Sequence, residues 1–186
     1  MPMDAIDAIH TRRSIRDYKA LAVARGLIEE ILWDATQAPR PPVSAATPFF
    51  FVVIEGLDRV AECGVRALQY ARDHRGRGPG NDWVDKPGFS VFFNAPAVIV
   101  ICGFNDAQAQ TVQDCNRAGQ NLMLSAQARG LGTCWVGSPL QWLRDPATRE
   151  ELDIPGSHDV FAVFTLGYPA ITPSGTPRQR PTVVWR

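Results

Sequence analysis

No apolar run in this sequence approaches the roughly 20 residues that a membrane span requires. The longest candidate, Ala95 to Cys102, has the length of a strand. Asp4, Asp7 and His10 stand where a secretory signal would need an apolar core, so a cytoplasmic protein with no membrane partner is expected. Cysteine is sparse and scattered: Cys63, Cys102, Cys115 and Cys134 form no C-x-x-C pair, which argues against a disulfide framework and for reduced thiols. His10, His74 and His158 fall in no metal-ligand spacing, and no metal is expected. Neither sign of charge dominates. Lysine plus arginine number 19, as do aspartate plus glutamate, and this balance argues against a nucleic-acid partner held by bulk positive charge.

Several catalytic signatures are also missing. The dinucleotide fingerprint fails: Gly130-Leu131-Gly132 would need its third glycine at Trp135, and the segment follows a helix pattern where a Rossmann turn follows a strand. There is no Walker A motif and no G-x-S-x-G elbow. No side-chain nucleophile has an adjacent base, so catalysis, if present, belongs to a cofactor.

What remains is a chain of 186 residues, 45% hydrophobic and 20% charged, expected to form one domain over 1–186 with a substantial core. Asp4 to Thr11 reads as a short helix and Arg12 to Lys19 as a polar stretch. Leu27, Ile28, Ile31, Leu32 and Ala35 keep the spacing of an amphipathic helix, which Pro39, Pro41 and Pro42 stop. Phe49 to Ile54 reads as a buried strand, Leu57 to His74 as a helix and Arg75 to Asn81 as a loop. A second strand follows at Val98 to Cys102. The longest helix, Gln110 to Arg129, places Val112, Cys115, Gly119, Leu122, Met123 and Ala126 on one face, with Gly130 as its C-cap. Further strands are expected at Thr133 to Val136 and Val160 to Gly167, a helix at Pro146 to Leu152, and a last strand at Val183 to Trp185. Strands alternating with helices point to a layered sheet.

One cluster carries chemistry. Arg12-Arg13-Ser14-Ile15-Arg16 puts three guanidiniums and a hydroxyl in five residues at a helix end. Arginine's planar fork donates two parallel hydrogen bonds to phosphate while staying ionised. The alternative is a solvated helix end whose cations complement the dipole. Arg178-Gln179-Arg180-Pro181, near the other terminus, is by itself an ordinary basic tail.

In this order, the pieces resemble the nitroreductase family of FMN-dependent flavoproteins. The resemblance runs through the R-R-S-x-R start at Arg12 to Arg16, Ala38-Pro39, Thr47-Pro48-Phe49, and Asn94-Ala95-Pro96 before its strand. It continues through the helix around Asp114, Ala118, Gln120, Asn121 and Leu122, and through the most specific piece, Gly130-Leu131-Gly132-Thr133-Cys134-Trp135-Val136-Gly137. Leu166-Gly167-Tyr168-Pro169 and Arg178-x-Arg180-Pro181 close the series.

The resemblance implies an α+β nitroreductase-like fold, with a central mixed sheet flanked by helices, as an intertwined homodimer with FMN at the interface. It implies that Arg12, Arg13, Ser14 and Arg16 bind FMN, that Arg178 and Arg180 return to the same phosphate, and that Trp135, Val136 and Gly137 lie beside the flavin. Arg16, the expected catalytic residue, would set a cation at the flavin edge. The implied activity passes electrons from NADH or NADPH to nitroaromatic, quinone or similar flat acceptors by a ping-pong mechanism. The loop at 40–49 departs from the family pattern: Ala45 and Thr47 offer no amide side chain, and Phe49 replaces a tryptophan. A flavin-binding carrier or sensor without efficient turnover is the alternative. Helix 110–129 is expected either at the dimer core or as an ordinary core helix, and the Val183 to Trp185 strand could join a partner's sheet.

Overall fold

A computed structural model describes residues 3–40, 49–74, 82–105 and 109–186. The expected loop at 75–81, and Pro41 to Pro48 of the departing segment, lie outside the described residues. Helix α1 (Ala5–Thr11) begins at Asp4, whose carboxylate accepts the Ile6 amide at 2.7 Å, the bond expected of an N-cap. Helix α2 (Arg25–Thr36) follows, then strand β1 (Phe49–Glu55) and helix α3 (Leu57–Asp73). A 3-10 turn spans Asp82–Asp85. Strand β2 (Ala97–Phe104) leads to helix α4 (Ala109–Ala128) and strand β3 (Gly132–Trp135). Two short helices, α5 (Leu140–Arg144) and α6 (Pro146–Glu151), precede strand β4 (His158–Gly167).

The strands form one sheet of order β1-β2-β4-β3, and where a mixed sheet was expected each neighbouring pair among the described residues is antiparallel. The single parallel pairing among the described residues is the isolated bridge Ser14–Thr133. β2 lies between β1 and β4 and is buried from Ala97 to Gly103, which is why it reads as an unbroken apolar run. Its alternate residues serve two layers. Ala97, Ile99 and Ile101 face a cluster with α2 and α4, whereas Val98, Val100 and Cys102 face one with α3 and α5. The pairing of β2 with β4 slips once: Ile101 opposes Ala162 but Cys102 opposes Val160, leaving Phe161 as an extra residue, a β-bulge.

α4 lies directly on this sheet. Cys115, Ala118, Leu122, Met123 and Ala126 are buried, whereas Val112, expected on the same face, is exposed. A Cβ at Gly119 would stand 2.5 Å from the Phe164 ring of β4. The small residues of this helix therefore have a cause within the chain, namely close approach to its own sheet. The expected final strand is absent: Val183, Val184 and Trp185 are exposed and pair with no described strand. α5 was not foreseen.

Candidate flavin site

The site begins where α1 ends. Arg12 leaves helical geometry (φ −55, ψ 137), and residues 14–19 run extended along the free side of β3 and on past the end of β4. The Ile15 amide donates to Thr133 O at 2.9 Å, and the Lys19 amide donates to Tyr168 O at 2.9 Å. The Ala170 amide returns a bond to Asp17 O at 3.0 Å. Ile15 and Tyr18 are buried beneath this strap, while Arg16 stays exposed.

Two glycines of the Gly130-Leu131-Gly132 segment explain how the strap is seated. Gly130 has φ +74 and ends α4 in the left-handed conformation typical of a glycine C-cap. At Gly132 an added Cβ would lie 2.4 Å from Ile15 Cγ1, so only hydrogen fits between strap and strand. Beneath the strap, the Tyr18 hydroxyl donates to Ile15 O at 2.8 Å and pairs with Thr165 Oγ1 at 2.7 Å. Burial pushes the Tyr18 phenol well above its ordinary value, so it stays protonated.

The C-terminal tail folds back over the same place. Together they enclose a cavity of about 770 Å³ lined by Arg12, Arg13, Ser14 and Arg16 from the strap and Ser174, Thr176 and Arg178 from the tail. Arg13 serves two purposes. Its Nη1 donates to His10 O and Arg12 O, each at 2.8 Å, closing the end of α1. Its guanidinium also meets the tail so closely that a Cβ at Gly175 would stand 2.3 Å from Nη2. Arg13 therefore closes the helix end and also stands in the wall of the cavity.

The electrostatics point to an anion. Burial, followed by the charges of Arg178 and Arg13, lowers the Arg12 pKa from its ordinary value. No carboxylate is found among the cavity's lining residues. None of Arg12, Arg13, Arg16 and Arg178 pairs with a carboxylate among the described residues. Four guanidiniums gathered without counter-charge repel one another, and a multiply charged oxyanion relieves that repulsion. Among the described residues no cluster of acidic, histidine or cysteine side chains could hold a metal, and no helix is long and apolar enough to cross a membrane.

Residues 9–168 match the nitroreductase family. The chain belongs to that family. It is 33% identical over 178 residues to a Methanothermobacter thermautotrophicus protein carrying the name NADH dehydrogenase/NAD(P)H nitroreductase, covering 92% of this chain and 80% of that one. A 4-nitrobenzoate reductase of Nocardioides is 28% identical, with 89% of this chain and 81% of that one covered. Among solved structures, a nitroreductase with bound FMN from Bacteroides fragilis superimposes with a TM-score of 0.82, at 20% identity, over 98% of this chain and 99% of that chain. The α+β nitroreductase fold is thus the fold of this chain.

The donor set suits a phosphate monoester: forked guanidiniums for paired oxygens, and the hydroxyls of Ser14, Ser174 and Thr176 as rotatable donors. Of the residues expected to bind cofactor, the fold brings Arg12, Arg13, Ser14, Arg16 and Arg178 around one cavity. Arg180 lies on the exposed tail and is not among the lining residues. Trp135 and Val136 are also absent from this lining. Trp135 packs its ring 5.1 Å from that of Phe164, and the Val136 amide donates to Val163 O at 2.9 Å. Gly137 opens onto a second cavity of about 380 Å³, with Ser138, Tyr70, His74, Trp83 and Trp142 in its wall. The sequence reading missed Ser174, Thr176 and this aromatic wall. The Ser174-Gly175-Thr176 run, two hydroxyls flanking a glycine, was the available signal.

Proposed function

We propose that the chain is an FMN-dependent oxidoreductase that takes electrons from NADH or NADPH and passes them to small flat acceptors such as nitroaromatics and quinones. The observation that carries this reading is the meeting of Arg12, Arg13, Ser14 and Arg16 with Arg178 around a cavity lined by no carboxylate. In this reading Arg12, Arg13 and Arg178 bind the flavin phosphate, with Ser14 beside them. Trp135, Val136 and Gly137, at the end of β3, flank the ring. Arg180 screens the phosphate from the tail.

The bound flavin supplies the two-electron chemistry, and the protein supplies binding, orientation and electrostatics. Arg16 is proposed as the residue that holds positive charge at the flavin edge where reduction deposits negative charge, which raises the reduction potential. Donor and acceptor use one site in turn, giving a ping-pong cycle. The active form is proposed to be a homodimer with the flavin at the interface, built from one nitroreductase domain over 1–186.

The test is direct. Protein purified without added cofactor should be yellow, and anaerobic NADH or NADPH should bleach it within seconds. Colourless protein that takes up no riboflavin 5′-phosphate would overturn the reading. Flavin that binds but resists both nicotinamides would favour a carrier or sensor.

A further inference from the structure

Arg16 poses a problem of placement. It is exposed, carries a long side chain and has no carboxylate partner among the described residues. A carboxylate would fix such a side chain but would also cancel its charge. An aromatic face fixes a cation through its quadrupole and leaves the net charge intact. The Arg16 guanidinium carbon lies 5.9 Å from the centre of the Phe93 ring.

The backbone that presents this ring is unusual. Phe93 and Asn94 have φ values of 54 and 55, two consecutive non-glycine residues in the left-handed region that residues with a Cβ seldom occupy. Local bonds hold the turn: the Phe93 amide donates to Ser90 O at 3.2 Å, the Asn94 amide to Ser90 Oγ at 3.1 Å, and the Ala95 amide to Phe92 O at 3.0 Å. The result divides two adjacent phenylalanines. Phe92 enters the core on the α3 side of the sheet, while Phe93 packs with Ile15, Tyr18 and Ala95 under the strap. Phe89 supports the Phe93 ring edge-on, at 6.4 Å and 81°, and Trp83 leans on Phe89 at 5.4 Å. Backbone strain of this kind persists where the surroundings enforce it, and such sites are frequently functional.

We infer that Phe93 is a positioning residue for the reaction: its ring, held by the left-handed Phe93-Asn94 turn, fixes the Arg16 guanidinium without neutralising it. This rests on the proposed role of Arg16 at the flavin edge.

The experiment reads the midpoint potential of the bound flavin in the holoprotein, by reductive titration against an indicator dye. Riboflavin 5′-phosphate affinity and the thermal midpoint are measured alongside. F93L, which keeps apolar bulk but removes the quadrupole, should make two-electron reduction about two- to five-fold less favourable, with flavin affinity changed less than two-fold. The double variant F93L/R16A should match R16A alone, because the ring acts only through the guanidinium. Fluorinated phenylalanines at position 93 weaken the ring face with little change of shape, and they should lower the potential stepwise even if F93L folds poorly. A flat fluorination series, or a wild-type potential in F93L while R16A shifts it, overturns the inference and leaves the role of Arg16 standing. A wild-type potential in R16A overturns that role first and this inference with it.

Discussion

Arg178 and Arg180 are two residues apart in sequence, yet only Arg178 lines the arginine cavity. Charge-assisted hydrogen bonds contribute about 1.5–3 kcal/mol each. R12A or R178A should therefore weaken riboflavin 5′-phosphate binding about ten- to a hundred-fold, and R180A should change it less than about three-fold, by long-range charge alone. Fluorescence titration of the apoprotein distinguishes the two patterns. Thr133 offers a second residue-scale test: its buried Oγ1 finds no hydrogen-bond partner among the described residues. T133V keeps the shape and removes the orphaned hydroxyl, so stability should hold or rise by about 1 kcal/mol in urea unfolding. The arginines of the strap were legible in the sequence because three cations in five residues are conspicuous. Phe93 was not, since neither it nor Asn94 is the glycine that would have announced a left-handed turn.

Among the elements, the docking of strap on β3 depends on one missing methyl group. In G132A the new Cβ would collide with Ile15, and the strap must lift or the strand must shift. The expected result is a loss of about 1–3 kcal/mol in stability together with weakened flavin binding, although Gly132 is not itself a lining residue. Retained affinity in a folded G132A protein would show that strap and cavity are independent. A second junction ties α3 to α6. Arg66 grips both oxygens of Glu151, and Arg59 Nη2 donates to it at 2.8 Å. The Arg66 hydrogen bonds, aided by Arg59, hold this carboxyl down at about 2. Its folded pKa lies below its unfolded one, so its contribution is present above the unfolded value of about 4.5 and is lost as pH falls toward about 2. E151Q should flatten that part of the acid-unfolding curve, by no more than about 1 kcal/mol for so exposed a pair.

At this scale the sequence was a good guide to the major helices and strands. Continuous apolar runs and helical spacing both report burial, and burial is what fixes those elements. α5 escaped because five residues cannot display a helical period, and its buried Trp142 and Leu143 are adjacent. The bulge at Phe161 escaped because an extra residue within the unbroken apolar run from Val160 to Phe164 leaves no trace in the pattern. Val183 to Trp185 has a strand's composition but no partner strand among the described residues.

For the molecule as a whole, the proposed pairing of subunits is expected to cover apolar side chains that the single chain leaves exposed. Trp33, Val65, Val184 and Trp185 are each at least two-thirds exposed, at 68%, 68%, 74% and 89%. Sedimentation should give about twice the 20.5 kDa chain mass, and truncation after Thr182 should lower it toward the monomer. Initial rates at several acceptor concentrations should give parallel reciprocal lines, since donor and acceptor are proposed to share one site. The thiols bear on handling. Burial raises the pKa of all four cysteines, Cys102 and Cys115 to about 12, so the folded protein should resist alkylation at pH 8 and react once unfolded. The family was readable because its residues keep their order from Arg12 to Arg178. The cavity was not, because a tail with no regular structure carries no period from which its return could be inferred.

The strap that carries the arginines also lies along the outer border of the sheet. β3 would otherwise present bare amide and carbonyl groups to any strand passing by. Cutting away the first twenty residues should therefore do more than abolish coenzyme uptake: it should leave a sticky border, and the shortened protein should polymerise and fall out of solution.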